Sequence, residues 1–267
     1  MKIIKIVWVV IISIALFACS LAVRQEENII SLQKEVQLTL NKVNTRLENN
    51  PESVLKNSVS TLDSILEYTK TVKSDPSKFS QEKIQAYILK INIINENMER
   101  FSDLTLQTDV SFSLGTYKLK DLSKKGKKKI LELADKINSS ALEMIAKYPE
   151  KPIRIIIKTI GYTDETGIVA GGILEQTIMK TISHTIENNP SKKRKQYNQI
   201  LSEFRASTLN QYVIQHLQQL SNINTLEIVT EILGLGEKFP STTESNYKSM
   251  DPRRRICIIS PFIEIIP

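Results

Sequence analysis

Two residues of opposite charge stand where this chain could do chemistry: Asp164, in the polar loop GYTDETG (residues 161–167), and Arg205, in the segment NQILSEFRA (residues 198–206). A carboxylate and a guanidinium held at complementary spacing suit a ligand that carries an ammonium and a carboxylate a few ångströms apart. Arginine suits the second role better than lysine, because its planar fork takes a carboxylate bidentately. Nothing in this pairing requires a bond to be made or broken.

Other chemistries find little to work with. The chain has only two cysteines, Cys19 and Cys257, and two histidines, His184 and His216, so no Cys/His cluster with metal spacing can be assembled. Cys257 reads as a buried structural thiol, and a disulfide-stapled fold is excluded. No nucleophile–His–acid set is visible. Gly234-Leu235-Gly236 lacks a third glycine and leads toward Pro240, so it is no nucleotide fingerprint. An enzyme is therefore not expected, nor a cofactor or a metal. The formal charge is +7 with an isoelectric point near 9.2. That balance speaks to polyanions in general, and without an arginine-rich tract nucleic acid is not an expected partner.

The elements that must position Asp164 and Arg205 follow from periodicity. Residues 109–114 alternate as a strand does, and Gly115-Thr116-Tyr117 turns away from them. Ser123 opens a helix carrying Ile130, Leu133, Ala134 and Ile137, and Pro149 and Pro152 bracket its exit. Residues 153–160 form a β-branched run of the kind found in a central strand buried on both faces. Asp164 follows at the C-terminal edge of that strand. A second long helix is expected over 198–217, which places Arg205 one turn in. Strands are expected over 226–233 and 254–259. The order β-α-β-α-β-β predicts an α+β sandwich, a mixed sheet with helices on one face.

Ahead of this domain, residues 24–107 predict an all-helical, coiled-coil-like stalk of three helices. From Glu26 to Arg100 there is no glycine, and the prolines fall only at Pro51 and Pro76, in polar patches that break helices. The expected apolar stripes run through Ile29, Leu32, Val36, Leu40, Val43 and Leu47, then Leu55, Val59, Leu62 and Leu66, then Tyr87, Ile91, Ile94, Met98 and Phe101. Such stripes suit an antiparallel bundle or a surface that meets another envelope protein.

The N-terminus is an address or an anchor. Residues 6–23 carry no charge and would span about 27 Å as a helix, close to the thickness of a bilayer's hydrocarbon. Lys2 and Lys5 precede the run while Glu26 and Glu27 follow it, which orients the N-terminus to the cytoplasm. One reading is an uncleaved inner-membrane anchor. The other is a lipoprotein signal, since Leu16-Phe17-Ala18-Cys19 resembles a lipobox with Cys19 as the lipidation candidate. Both put the body of the protein outside the cytoplasmic membrane, in the periplasm.

Four motifs in order then carry a resemblance. GYTDETG at 161–167 resembles the GHTDxxG loop of OmpA-like peptidoglycan-binding domains, the family of the OmpA, MotB and Pal C-terminal domains. NQILSEFRA at 198–206 resembles that family's NxxLSxxRA helix, GLGEKFP at 234–240 its GxGExxP turn, and RRRI at 253–256 its NRRV strand entry. The resemblance covers the chain from residue 108 to 267. It implies non-covalent binding of peptidoglycan through the diamino acid of the stem peptide. Asp164 would take the ammonium and Arg205 the carboxylate, with Asn198 and Arg254 at the pocket's edge and the backbone beside Thr163 within reach. The function this implies is a link from membrane to cell wall; the alternative is a scaffold subunit of a larger envelope-spanning complex.

Three positions depart from the family's pattern. Residues 168–197 are an insertion where the family has a short connection. It holds Gly171-Gly172, an apolar helix-like stretch over 173–186 and the basic run Lys192-Lys193-Arg194-Lys195, expected as a solvated loop. Envelope proteins could meet this insertion or the stalk. Ser113 stands where an acidic residue is common after Phe112, and Arg253 replaces the common asparagine.

Overall fold

The computed structural model describes residues 2–106, 112–181, 189–220, 226–240 and 246–266, with side chains from residue 24 onward except 219 and 220. Its contacts divide the chain into two compact units. One joins residues 1–45 to 57–96, the other residues 46–56 to 97–267.

The first unit is helical. Helix α1 (Lys2–Asn49) ends just before Pro51, α2 (Lys56–Ser74) just before Pro76, and α3 spans Gln81–Arg100. Its core is built from Ile29, Leu32, Val36 and Val43 of α1, Leu62, Ile65 and Val72 of α2, and Ile84, Ile91 and Ile94 of α3. On α2 the buried stripe is not the expected one. It runs through Leu62, Ile65, Thr69 and Val72, while Val59 and Leu66 are only half-buried. Two apolar lines on neighbouring helix faces satisfy the same spacing, and packing chose between them. Thr39 and Asn95 meet in this core, the amide donating to the hydroxyl at 3.0 Å. Residues 6–23 lie within α1, but their side chains are outside the described set. Among the described residues no helix is long and apolar enough to cross a membrane.

The second unit is a mixed α+β fold. Its sheet has the order β1-β4-β2-β3, with β1 at Leu104–Leu106, β2 at Ile153–Gly161, β3 at Leu226–Gly234 and β4 at Cys257–Ile265. Strands β2 and β3 are parallel, joined through α5 (Ile173–Thr181) and α6 (Pro190–Leu220); β4 runs antiparallel to both its neighbours. Helix α4 (Lys124–Lys147) starts at Ser123, whose hydroxyl accepts the Gly126 N–H at 2.9 Å. Helices α4 and α6 share one core with the sheet. Ile130, Leu133 and Ile137 of α4 and Leu209, Val213 and Leu217 of α6 pack with Ile153, Ile155 and Ile157 of β2.

The other face of β2 carries charge and fixes register. Arg154 donates to Glu227 on β3 and to Glu264 on β4, both at 2.8 Å, directly across the ladder on each side. The strand expected to be buried on both faces is buried on one; on the other, Arg154, Ile156 and Lys158 are half-buried and Ile160 is wholly buried with Tyr162, Leu235, Ile256 and Ile258.

Three boundaries differ from the sequence expectation. The sheet's first strand lies at Leu104–Leu106; of the strand expected over 109–114, residues 109–111 lie outside the described set. Phe112 makes only an isolated bridge with Leu122. Three residues are too few to show a period, so β1 was invisible to patterning. The last strand begins at Cys257 rather than Arg254, and it runs through Pro261. Proline has no N–H to give a ladder, and Pro261 lies just beyond the residues that pair with β1. One pleat further, Ile263 points its N–H and carbonyl at the Asn97 side chain instead, both at 2.7 Å. Helix α6 begins at Pro190, so the basic run is its first turns and not a loop.

Candidate functional site

The site is assembled where the C-terminal ends of β2 and β3 meet α6. Gly161 and Gly234, paired across the two strands, let the helix backbone come this close. A Cβ at Gly161 would lie 2.1 Å from the Ser202 carbonyl oxygen. Any other residue there would push α6 off the strand ends. The Ser202 hydroxyl then accepts the Gly236 N–H at 2.9 Å, and the Thr163 N–H reaches the Gly236 carbonyl at 2.8 Å. These contacts give three of the four motifs one purpose: they are the strand ends, the helix and the turn of a single junction.

Asp164 is buried at this junction. Its Oδ2 accepts from Arg255 at 2.7 Å and from the Thr166 hydroxyl at 2.8 Å, and its Oδ1 accepts the Thr166 N–H at 3.3 Å. Burial pushes its carboxyl up, but the Arg255 guanidinium and Thr166 outweigh that and hold it below the usual range. It is ionised at neutral pH.

Arg205 lies about four turns into α6, deeper than expected because the helix starts earlier. It is 2% exposed. Its Nε donates to the Thr116 carbonyl at 2.9 Å and an Nη to the Ser113 carbonyl at 3.0 Å. Both acceptors belong to one tight turn, closed by the Thr116 N–H on the Ser113 carbonyl at 3.2 Å. Gly115 has φ +67° at its third position, a conformation that glycine adopts without strain. Ser113 thus contributes its backbone, which any residue type supplies. Among the described residues no carboxylate forms an ion pair with Arg205, and burial pushes its guanidinium pKa down. A buried charge that meets only neutral carbonyls is costly.

Asp164 and Arg205 line one cavity of about 350 Å³, together with Thr163, Asn198 and Arg255. That is the size range of sites for small organic ligands. Two buried polar atoms here have no partner among the described residues, the Thr163 hydroxyl and the Arg255 Nε. Asn198 is a strut. Its amide donates to the Asp164 and Thr166 carbonyls at 3.1 and 3.3 Å and to Glu237 at 2.8 Å. Arg194 doubles the hold on Glu237 with bonds of 2.8 and 3.0 Å.

Arg254 is not among the cavity's lining residues. It is wholly buried, donates to the carbonyls of Lys248, Ser249 and Glu237, pairs with Glu165 at 3.3 Å and stacks 4.0 Å from the Phe239 ring centre. The neighbouring Arg255 takes the place at Asp164. In the run Arg253-Arg254-Arg255 the types are identical, and only the short helical turn Pro252–Arg254 decides which side chain faces which way.

The insertion, which the sequence places beside the pocket, supplies walls through Ile168, Val169, Ile173 and Leu174; the wall from Leu114 had no sequence signal. Asn189-Pro190 was the available signal for the earlier helix start. The Asn189 side chain accepts the Ser191 and Lys192 N–H groups at 3.0 and 3.2 Å, with proline in the first helical position. Cys257 is buried in the core, and the side chain of Cys19 lies outside the described residues.

No family model matches the chain, and no curated protein does. Among solved structures it is similar to the periplasmic domain of Helicobacter pylori MotB, at 18% identity and a TM-score of 0.30, over 63% of this chain and 86% of that one. It is also similar to the OmpA-like domain of FopA1 from Francisella tularensis, at 18% identity and a TM-score of 0.29, over 62% of this chain and 75% of that one.

Proposed function

We propose that this chain is a membrane-tethered envelope protein whose second unit binds peptidoglycan non-covalently, linking a membrane to the cell wall. The ligand is the diamino acid of a stem peptide, whose ammonium meets Asp164 and whose carboxylate meets Arg205. The single observation that carries this reading is the state of Arg205. It is a fully buried guanidinium with no carboxylate of its own, lining a cavity that also holds an ionised aspartate. An incoming carboxylate supplies the missing counter-charge and accepts its remaining donors. Thr163 and Arg255 offer further partners through their unpaired atoms.

The four ordered motifs support the same ligand, and Asn198 keeps the aspartate loop in place. Arg254 holds the loop from behind and does not touch the ligand. The tether is the apolar run of residues 6–23, either as an anchor in the inner membrane or as a lipoprotein signal ending at Cys19. The site binds and does not catalyse.

Co-sedimentation of the protein with purified sacculi tests this. Asp164→Ala and Arg205→Ala should each abolish pelleting at protein concentrations where the parent pellets fully. Retention by the double variant would overturn the site.

A further inference from the structure

Part of the cavity wall comes from the inserted segment, and it is apolar. Val169 and Ile173 are 77% and 80% exposed, and both line the cavity, as does Leu114 at 59%. Single exposed apolar residues are ordinary on a protein surface; three gathered on the rim of a charged pocket form a surface with a purpose.

The turn that presents Val169 and Ile173 is held firmly. The Gly172 N–H closes a turn onto the Val169 carbonyl at 3.1 Å, and Gln176 donates to the Gly171 carbonyl at 3.1 Å. Glu175, buried below this turn, accepts the Gly171 N–H at 2.6 Å, the Tyr197 hydroxyl at 3.0 Å and the Lys193 ammonium at 3.0 Å. Those three donors hold its carboxyl at about 2, so the clamp is charged at any physiological pH. Tyr197 and Lys193 belong to α6, the helix that also carries Arg205. The apolar wall and the guanidinium therefore share one rigid support, and the wall is in place before a ligand arrives.

A free diamino acid offers this wall little, because its charged end is already matched by Asp164 and Arg205. A stem peptide offers more: in it the diamino acid is joined by amide bonds to neighbours that include alanine. We propose that the inserted turn is an apolar subsite for the alanine methyl group beside the diamino acid, so that the pocket selects the alanine-bearing peptide over the free diamino acid. This rests on the stem-peptide reading above. The occupant is the same ligand, not a second protein, because the three side chains line the same cavity as the charged pair.

Calorimetric titration of the full-length chain in detergent micelles decides it, using two probes. One is meso-diaminopimelate, the other a stem tetrapeptide that contains it and ends in D-alanine. The variant is Val169→Ser with Ile173→Ser, both exposed positions outside the core. The affinity for the tetrapeptide should fall about tenfold, while that for meso-diaminopimelate stays within about twofold. Val169→Leu with Ile173→Leu should keep the tetrapeptide affinity. Unchanged tetrapeptide binding by the serine variant overturns the subsite. So does an equal loss for both probes, which would make the turn a mere support of the charged pair. If the parent chain binds neither probe, the stem-peptide reading falls and the subsite with it.

Discussion

Two arginines of the second unit are buried completely, and their surroundings treat them in opposite ways. Arg254 is closed in by protein: three carbonyls, the Glu165 carboxylate and the face of Phe239 surround its guanidinium. Arg205 has two carbonyls of one turn, the Phe112 ring 5.9 Å away and a cavity. A charge enclosed with its own counter-ion is an element of structure, and removing one partner leaves the other stranded. A charge enclosed without one is tolerated only where something else will complete it. On the proposed reading the difference separates a strut from a binding group, although both were expected at the pocket.

The comparison can be broken most directly at Arg254. Arg254→Met should lower stability by about 3 kcal/mol, because the carbonyls of Ser249 and Glu237 and the half-buried Glu165 lose a donor, Glu165 keeping only Arg194 at 3.4 Å among the described residues. The urea midpoint should fall accordingly, and any loss of wall binding should track the unfolded fraction. Arg205→Met should do the reverse. Binding to sacculi should weaken by about two orders of magnitude, while stability stays within about 1 kcal/mol of the parent or rises. Equal destabilisation by the two methionine variants would erase the distinction.

A third change sharpens it. Gly161→Ala should lower stability by about 1–3 kcal/mol, since the added carbon overlaps the Ser202 carbonyl and α6 must shift. Its binding loss should exceed what unfolding explains, because α6 carries Arg205, whereas Arg254 sits on a separate turn. The smallest effect concerns pH. The Asp164 carboxyl is held below its usual value of about 4, so its contribution to stability and to ammonium binding is complete above that pH. Both should be flat from pH 5 to 8 and fade only as the pH drops through the lowered value. A binding midpoint above pH 5 in sedimentation assays would contradict the Arg255 pairing.

Much of the junction was legible beforehand, for reasons particular to its residues. Gly161, Asp164, Asn198 and Arg205 stand in short motifs whose order along the chain carried the resemblance, although the partners of Asn198 and Arg205 lie tens of residues away. The helix starting at Ser123 and the strand over Ile153–Gly161 were equally plain, one from its cap and its three-and-four spacing, the other from its β-branched run. Strand β1 was not, since three residues carry no period. Nor was the buried stripe of α2, where Ile65 displaced Val59 and Leu66 from the core.

By itself the sequence determined the mixed order of helices and strands, the glycines at the strand ends and the charges available to a ligand. Patterning is local, and these features are local. Only the tertiary structure decided which charge meets which. Three adjacent arginines cannot be told apart by type, yet the turn at Pro252–Arg254 points one inward against Glu165 and gives the next to Asp164. In the same way the insertion was visible as length, but its clamp through Glu175 and its place in the cavity wall came from contacts with α6. Directions of side chains are set by packing across the chain, and no spacing along it encodes them.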